Sequence, residues 1–130
     1  MKKRILLIED EKEMNFRLIK RLKDIYDVEI AISADAAINA LKLYPTGFDL
    51  IILDVMMDPE PYTMTETDEG METGWVLYQK ELKRLPTSVI VWTRNSDIFG
   101  KDWGPNVKDR LIKSGDDDQL VNAAKKHIGE

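Results

Sequence analysis

The chain has 130 residues, 43% hydrophobic and 33% charged, with a net charge of −5, which fits one soluble domain with a core of ordinary size and argues against two. No apolar run approaches the roughly 18 residues that span a bilayer, and the short apolar stretch after "MKKR" ends at Glu9, Asp10 and Glu11, too soon for a signal peptide. The absence of cysteine and the single histidine, His127, exclude disulfides, thiol catalysis and zinc clusters of cysteine or histidine, and nothing supplies the basic face that nucleic-acid backbones require.

Strand-like and helix-like patterns alternate. "KRILLI" (3–8) is a continuous apolar run that predicts a first strand, and in "EKEMNFRLIKRLKDI" (11–25) Met14, Leu18, Leu22 and Ile25, joined by Ile19, recur at helical spacing. "YDVEIA" (26–31) alternates, with Tyr26, Val28 and Ile30 on one face, as a half-exposed edge strand does. Ser33 is placed to cap a helix carrying Ala34, Ala37, Ile38, Leu41 and Tyr44, which Pro45 and Gly47 stop. "DLIILD" (49–54) is apolar on both faces and predicts a central strand.

Residues 58–73 then hold Asp58, Glu60, Glu66, Asp68, Glu69 and Glu72 and no base, so the chain's acidity is local. A third helix is expected through Trp75, Tyr78, Leu82 and Leu85, ending at Pro86, followed by a strand at "SVIVWT" (88–93). In "RNSDIFGKDWGPN" (94–106), Gly100 and Gly104-Pro105 permit only a short helix. "VKDRLIK" (107–113) reads as a weak fifth strand, and Leu120, Val121, Ala124 and Ile128 mark a final helix. Acids at 116–118 open that helix and Lys125 and Lys126 close it, which complements its dipole.

Five strands alternating with helices imply an α/β fold, a five-stranded parallel sheet with helices on both faces, because parallel neighbours need right-handed crossovers. In such sheets, sites form beyond the carboxyl ends of the strands. There lie Glu9 and Asp10 after the first strand, Asp54 after the third, Thr93 ending the fourth and Lys113 after the fifth. Clustered carboxylates repel one another and usually hold a hard cation such as Mg2+. A cation beside a carboxylate, with a lysine and a hydroxyl opposite, is the setting that phosphoryl transfer needs, since that reaction depends on positioning and charge neutralisation.

In the motifs "LLIEDE", "LIILDVMM", "VIVWT" and "RLIK", in this order, nearly the whole chain resembles the CheY-like receiver domains of two-component response regulators. The resemblance implies a flavodoxin-like (βα)5 fold with strand order 2-1-3-4-5. Residues 1–130 are then a single receiver domain, with an acidic insertion at about 58–73 between the third strand and third helix. It implies that Asp54 accepts a phosphoryl group from a histidine kinase in a Mg2+-dependent phosphorelay. Asp10, Asp54 and the backbone carbonyl of Met56 are then the direct metal ligands, with Glu9 acting mainly through water. Lys113 pairs with the aspartate or phosphoryl oxygens, and Thr93 hydrogen-bonds the phosphoryl group and carries the switch. The implied partners are a sensor histidine kinase or phosphotransfer protein and an unidentified downstream protein. The chain is expected to be a stand-alone cytoplasmic phosphoacceptor, monomeric or weakly dimeric, contacting neither nucleic acid nor membrane and catalysing only its own phosphoryl transfer and dephosphorylation.

Several positions depart from that family's pattern. Arg94 follows the threonine where a small residue is usual, Ser114 rather than proline follows Lys113, and Arg110 stands where an aromatic ring usually rotates with the threonine. Gly74 lies 20 residues after Asp54, roughly a dozen more than the pattern, so residues 58–73 form either a solvated loop or a rim that selects a basic partner. The departures suit an alternative, a pseudo-receiver that keeps the fold and signals without phosphorylation. An aspartate-nucleophile phosphatase usually has a second aspartate where this chain has Met56, and no P-loop motif occurs. Locally, Asp10 with Glu13 also suits an N-cap of the first helix, and His127 reads as an exposed helix-end residue.

Overall fold

The computed structural model describes residues 2–13, 15–44, 47–113 and 116–128. Strands β1 (Arg4–Ile8), β2 (Asp27–Ala31), β3 (Leu50–Leu53), β4 (Ser88–Thr93) and β5 (Val107–Ile112) form one parallel sheet in the order β2-β1-β3-β4-β5. This is the expected flavodoxin-like order, and it puts the alternating strand β2 at an edge. The helices are α1 (Phe16–Ile25), α2 (Ala34–Leu43), α3 (Thr73–Leu77) and α4 (Asp117–Ile128), with α3 running on as a π-helical stretch, Tyr78–Leu82. Among the described residues no helix is long and apolar enough to cross a membrane.

The sheet separates two cores. On one side Leu6, Ile8, Ile51, Leu53, Val89 and Val91 pack against α2 and α3. On the other, Ile5, Leu7, Leu50, Ile52, Ile90 and Trp92 pack against Leu18, Ile19 and Leu22 of α1 and Leu120, Val121 and Ala124 of α4. All four residues of β3 are fully buried, the environment that a strand apolar on both faces requires. Ser33 caps α2 as expected, its Oγ accepting from the Ala36 N–H at 3.0 Å.

Two local expectations are corrected. Helix α1 starts at Phe16, with Asn15 in the cap position and no capping side chain, so Asp10 is not its N-cap. The residues before it are spent on a turn, in which the Glu11 N–H donates to Glu9 Oε1 and Asn15 Nδ2 donates to the Glu11 carbonyl. His127 is half-buried, its Nε2 lying 2.7 Å from Asp109 Oδ2, which ties α4 to β5. Met14, Pro45 and Ser114, named in the sequence reading, lie outside the described residues.

Between β4 and β5 there is a single 3-10 turn, Ser96–Gly100, started by Asn95 Oδ1 accepting from the Asp97 N–H. Aromatic packing does the work that a longer helix would do. The Trp103 ring meets Trp75 edge-on at 4.7 Å and Tyr78 at 5.0 Å, and its Nε1–H donates to the Ile98 carbonyl. The Tyr78 hydroxyl donates to Asn106 Oδ1 and accepts from the Gly104 N–H, while Asn106 Nδ2 donates to the carbonyls of Leu82, Leu85 and Thr87.

The acidic segment 58–73 is a succession of turns with its own hydrogen bonds. Thr63 and Glu66 cap one another, each backbone N–H donating to the other's side-chain oxygen at 3.0 Å. The buried Thr67 hydroxyl donates to the Thr63 carbonyl and accepts from the Gly70 N–H. Its far end fastens on Met57, whose N–H donates to the Gly70 carbonyl and whose carbonyl accepts from the buried Thr73 hydroxyl at 2.8 Å. Helix α3 then starts directly against the end of β3. A Cβ on Gly74 would lie 2.3 Å from the Asp54 carbonyl oxygen and 2.6 Å from Val55 Cα. Gly74→Ala is therefore expected to cost about 2–3 kcal/mol, as overpacking against backbone does. In urea titrations its midpoint should fall with an unchanged slope.

Candidate functional site

Strand register assembles the site. Ile8 lies opposite Leu53, so Glu9 and Asp54 leave the sheet side by side. The Glu9 N–H bonds to the Ala31 carbonyl and the Asp54 N–H to the Ile8 carbonyl, extending the ladder by one residue. In β5 the pairing slips once, Val107 facing Val89 but Asp109 facing Ile90. A one-residue slip turns every later side chain to the other face. The bulge thereby sends Leu111 into the core shared with α1 and α4, and Lys113, two residues on, follows the same side, with its N–H on the Thr93 carbonyl at 2.9 Å.

Three of the five strand-end residues are in direct contact. Lys113 Nζ donates to Glu9 Oε2 and, at 3.0 Å, to Asp54 Oδ2, and it sits 4.5 Å from the centre of the Trp92 ring. The remaining oxygens are held by backbone: Glu9 Oε1 accepts from Glu11 N–H at 3.0 Å, and Asp54 Oδ1 from Val55 N–H at 2.7 Å and more weakly from Met56 N–H at 3.4 Å. Glu9 and Thr93 are fully buried and Asp54 is only 3% exposed, whereas Asp10 is open to solvent. Thr93 Oγ1 accepts from the Asn95 N–H at 3.3 Å, which leaves its own proton to donate.

The cluster is short of positive charge. Burial, with the Asp54 charge adding to it, raises the Glu9 carboxyl from 4.5 to about 7 against the pull of Lys113. Burial and then Asp54 raise Asp10 as well. Burial works to lower the Lys113 ammonium, but Asp54 and Glu9 outweigh it and hold its pKa above the usual value. One carboxylate oxygen from each of Glu9, Asp10 and Asp54 lies within 4.8 Å of the others. An all-oxygen donor set with one ammonium against three carboxylates fits a small hard dication such as Mg2+.

Beside Asp54 is a cavity of about 40 Å3 bordered by Glu11, Met56, Arg94 and Lys113. Arg94 does not reach Asp54; its Nη1 lies 3.6 Å from Glu11 Oε1. A wider cleft of about 350 Å3, lined by Asp10, Ile32, Ser33, Asp35, Asp58 and Glu60, brings the start of the acidic segment up to the same end of the sheet. Arg110 is exposed on β5. Glu11 and Trp92 are site neighbours that the motifs do not single out. Their only sequence signals are the acidic triplet after β1 and a tryptophan immediately before the strand-end threonine.

No protein-family sequence profile matches the chain, and no curated protein sequence does. Solved structures match it over almost its full length. A CheY-like response regulator receiver domain from Methylobacillus flagellatus superposes with a TM-score of 0.70 at 17% identity, covering 98% of this chain and 99% of that one. The response regulator TrrA from Thermotoga maritima, solved in complex with Mg2+ and beryllium fluoride, gives 0.67 at 23% identity, covering 96% and 98%. The N-terminal domain of a response regulator/sensory box/GGDEF protein from Carboxydothermus hydrogenoformans gives 0.68 at 21%, covering 97% and 94%. The fold is that of the response-regulator receiver domains.

The raised Glu9 carboxyl predicts a pH dependence. Glu9 holds its proton more firmly folded than unfolded, so the stability it contributes is complete below pH 4.5 and is lost as the pH rises through about 7. Asp10 acts in the same direction, and Lys113 stays an ammonium throughout. In metal-free buffer the Tm of the wild type should therefore fall across this window relative to that of Glu9→Gln. Melting curves over a pH series check this, and parallel Tm profiles would show that Glu9 ionises at no cost.

Proposed function

We propose that the chain is a receiver that accepts a phosphoryl group on Asp54 from a phosphohistidine of a sensor kinase or phosphotransfer protein, and passes the signal on through protein contacts in the cytoplasm. The observation that carries this reading is the contact of Lys113 Nζ with a buried Asp54 carboxylate, with Glu9 and Asp10 packed beside it. In the transfer, an Asp54 carboxylate oxygen forms a bond to phosphorus as the phosphorus–nitrogen bond breaks, and the electron pair leaves on the imidazole. Lys113 offsets the charge gathering on the oxygens, and the Thr93 hydroxyl supplies a donor to the transferred group. Asp10, Asp54 and the Met56 carbonyl would hold Mg2+ directly. Glu9, whose two oxygens are engaged by Lys113 and the Glu11 amide, would act through water. Mg2+ would supply neutralisation of phosphoryl charge.

Residues 58–73 belong to this reading as an insertion that informs partner choice. Asp58 and Glu60 line the cleft that also contains Asp10, so a partner with a basic surface is favoured and an acidic one repelled.

One observation favours the pseudo-receiver: the Arg94–Glu11 ion pair at the cavity beside Asp54. Mass spectrometry after incubation with Mg2+ and acetyl phosphate separates the two readings. A phosphoryl adduct on the wild type, absent from Asp54→Asn, is expected, together with a rise in the wild-type Tm on adding Mg2+. An unmodified wild type whose Tm ignores Mg2+ supports the pseudo-receiver.

A further inference from the structure

Arg94 is not used by the chemistry above, yet it stands at the acceptor. It directly follows Thr93 at the end of β4, and Glu11 lies in the turn after β1. Both side chains border the 40 Å3 cavity beside Asp54, with Met56 and Lys113 forming the rest of its wall. The ion pair of 3.6 Å between them therefore spans the space that a group on Asp54 would enter.

The pair is also easily exchanged. Its side chains are 57% and 40% exposed, and exposed pairs contribute little because solvent screens them and two long side chains must be held still. A phosphoryl group on Asp54 would place nearly two negative charges and three acceptor oxygens in the same cavity. A guanidinium binds such a group through paired hydrogen bonds that a carboxylate at 3.6 Å does not provide.

We propose that Arg94 is a phosphoryl-binding residue held in reserve by Glu11. In the unmodified chain the ion pair covers the acceptor cavity, and when Asp54 carries a phosphoryl group the guanidinium leaves Glu11 for the phosphoryl oxygens. This rests on Asp54 being the acceptor. The exchange makes and breaks no covalent bond, and it stabilises only the modified state. The Glu11 backbone has a separate task, its N–H donating to Glu9 Oε1. A glutamine at this position keeps that hydrogen bond and removes only the anion.

The test titrates beryllofluoride with Mg2+ against the wild type, Glu11→Gln, Arg94→Ala and the double variant, followed by tryptophan fluorescence, since Trp92 lies against Lys113. Acetyl phosphate labelling of the wild type is read by mass in parallel. Glu11→Gln should bind beryllofluoride about two- to fivefold more tightly, the range an exposed ion pair contributes, and Arg94→Ala more weakly by a similar factor. The double variant should match Arg94→Ala, because Glu11 acts through Arg94. If Glu11→Gln tightens binding equally without Arg94, the effect is bulk charge and the exchange is wrong. Wild-type affinity in Arg94→Ala overturns it too. A wild type that takes neither beryllofluoride nor a phosphoryl group overturns the acceptor reading as well, whereas a labelled wild type with four equal affinities overturns the exchange alone.

Discussion

Two buried carboxylates, Glu9 and Asp54, face each other at the end of the sheet, and the ammonium that joins them comes from Lys113, 104 residues after Glu9. Removing such charges from water is costly unless they are paired and hydrogen-bonded. The arrangement holds only if β5 is docked on β4 in the right register and with its bulge. The electrostatics of β1 and β3 therefore depend on the last strand of the sheet, and α4, packed behind it and tied by His127 to Asp109, helps to keep that strand in place.

The pairing is incomplete by design of the residue set. One ammonium stands against three clustered carboxylates, and burial, with the Asp54 charge adding to it, raises the pKa values of Glu9 and Asp10. A core free of these acids would be easier to stabilise, and strained clusters of this kind are more frequent at functional sites than elsewhere. The surplus lies on the solvent side, at Asp10, while the Lys113 contacts lie underneath.

How much of this is legible in the sequence follows from how local each feature is. The sheet order and the edge position of β2 follow from apolar runs and alternation, which are properties of single segments. The strand-end acids, Thr93 and Lys113 were legible because each directly ends or follows such a run. The start of α1 was not, because Asp10 sits at a strand end whose next residues form a turn with Glu9 and Asn15. Nor were the β5 bulge, the His127–Asp109 contact or the packing of Trp103 on Trp75 and Tyr78, all of which need partners distant in sequence. The acidic segment read only as charge, since its order comes from threonine hydroxyls, Thr63, Thr67 and Thr73, that composition does not distinguish from solvated ones.

Met57 gives that segment an architectural meaning. Its amide and its carbonyl are both taken by the segment's far end, at Gly70 and Thr73, so the excursion is tied off across its base, while Tyr62 packs on the core and Glu66 and Glu72 pair with Lys80 and Lys101. A loop closed on itself in this way transmits little of its own length or composition to the strand that precedes it. Such an appendage can be lengthened, shortened or recharged as a cassette, redrawing the surface next to Asp54 while the Lys113 contact with that carboxylate stays as it is.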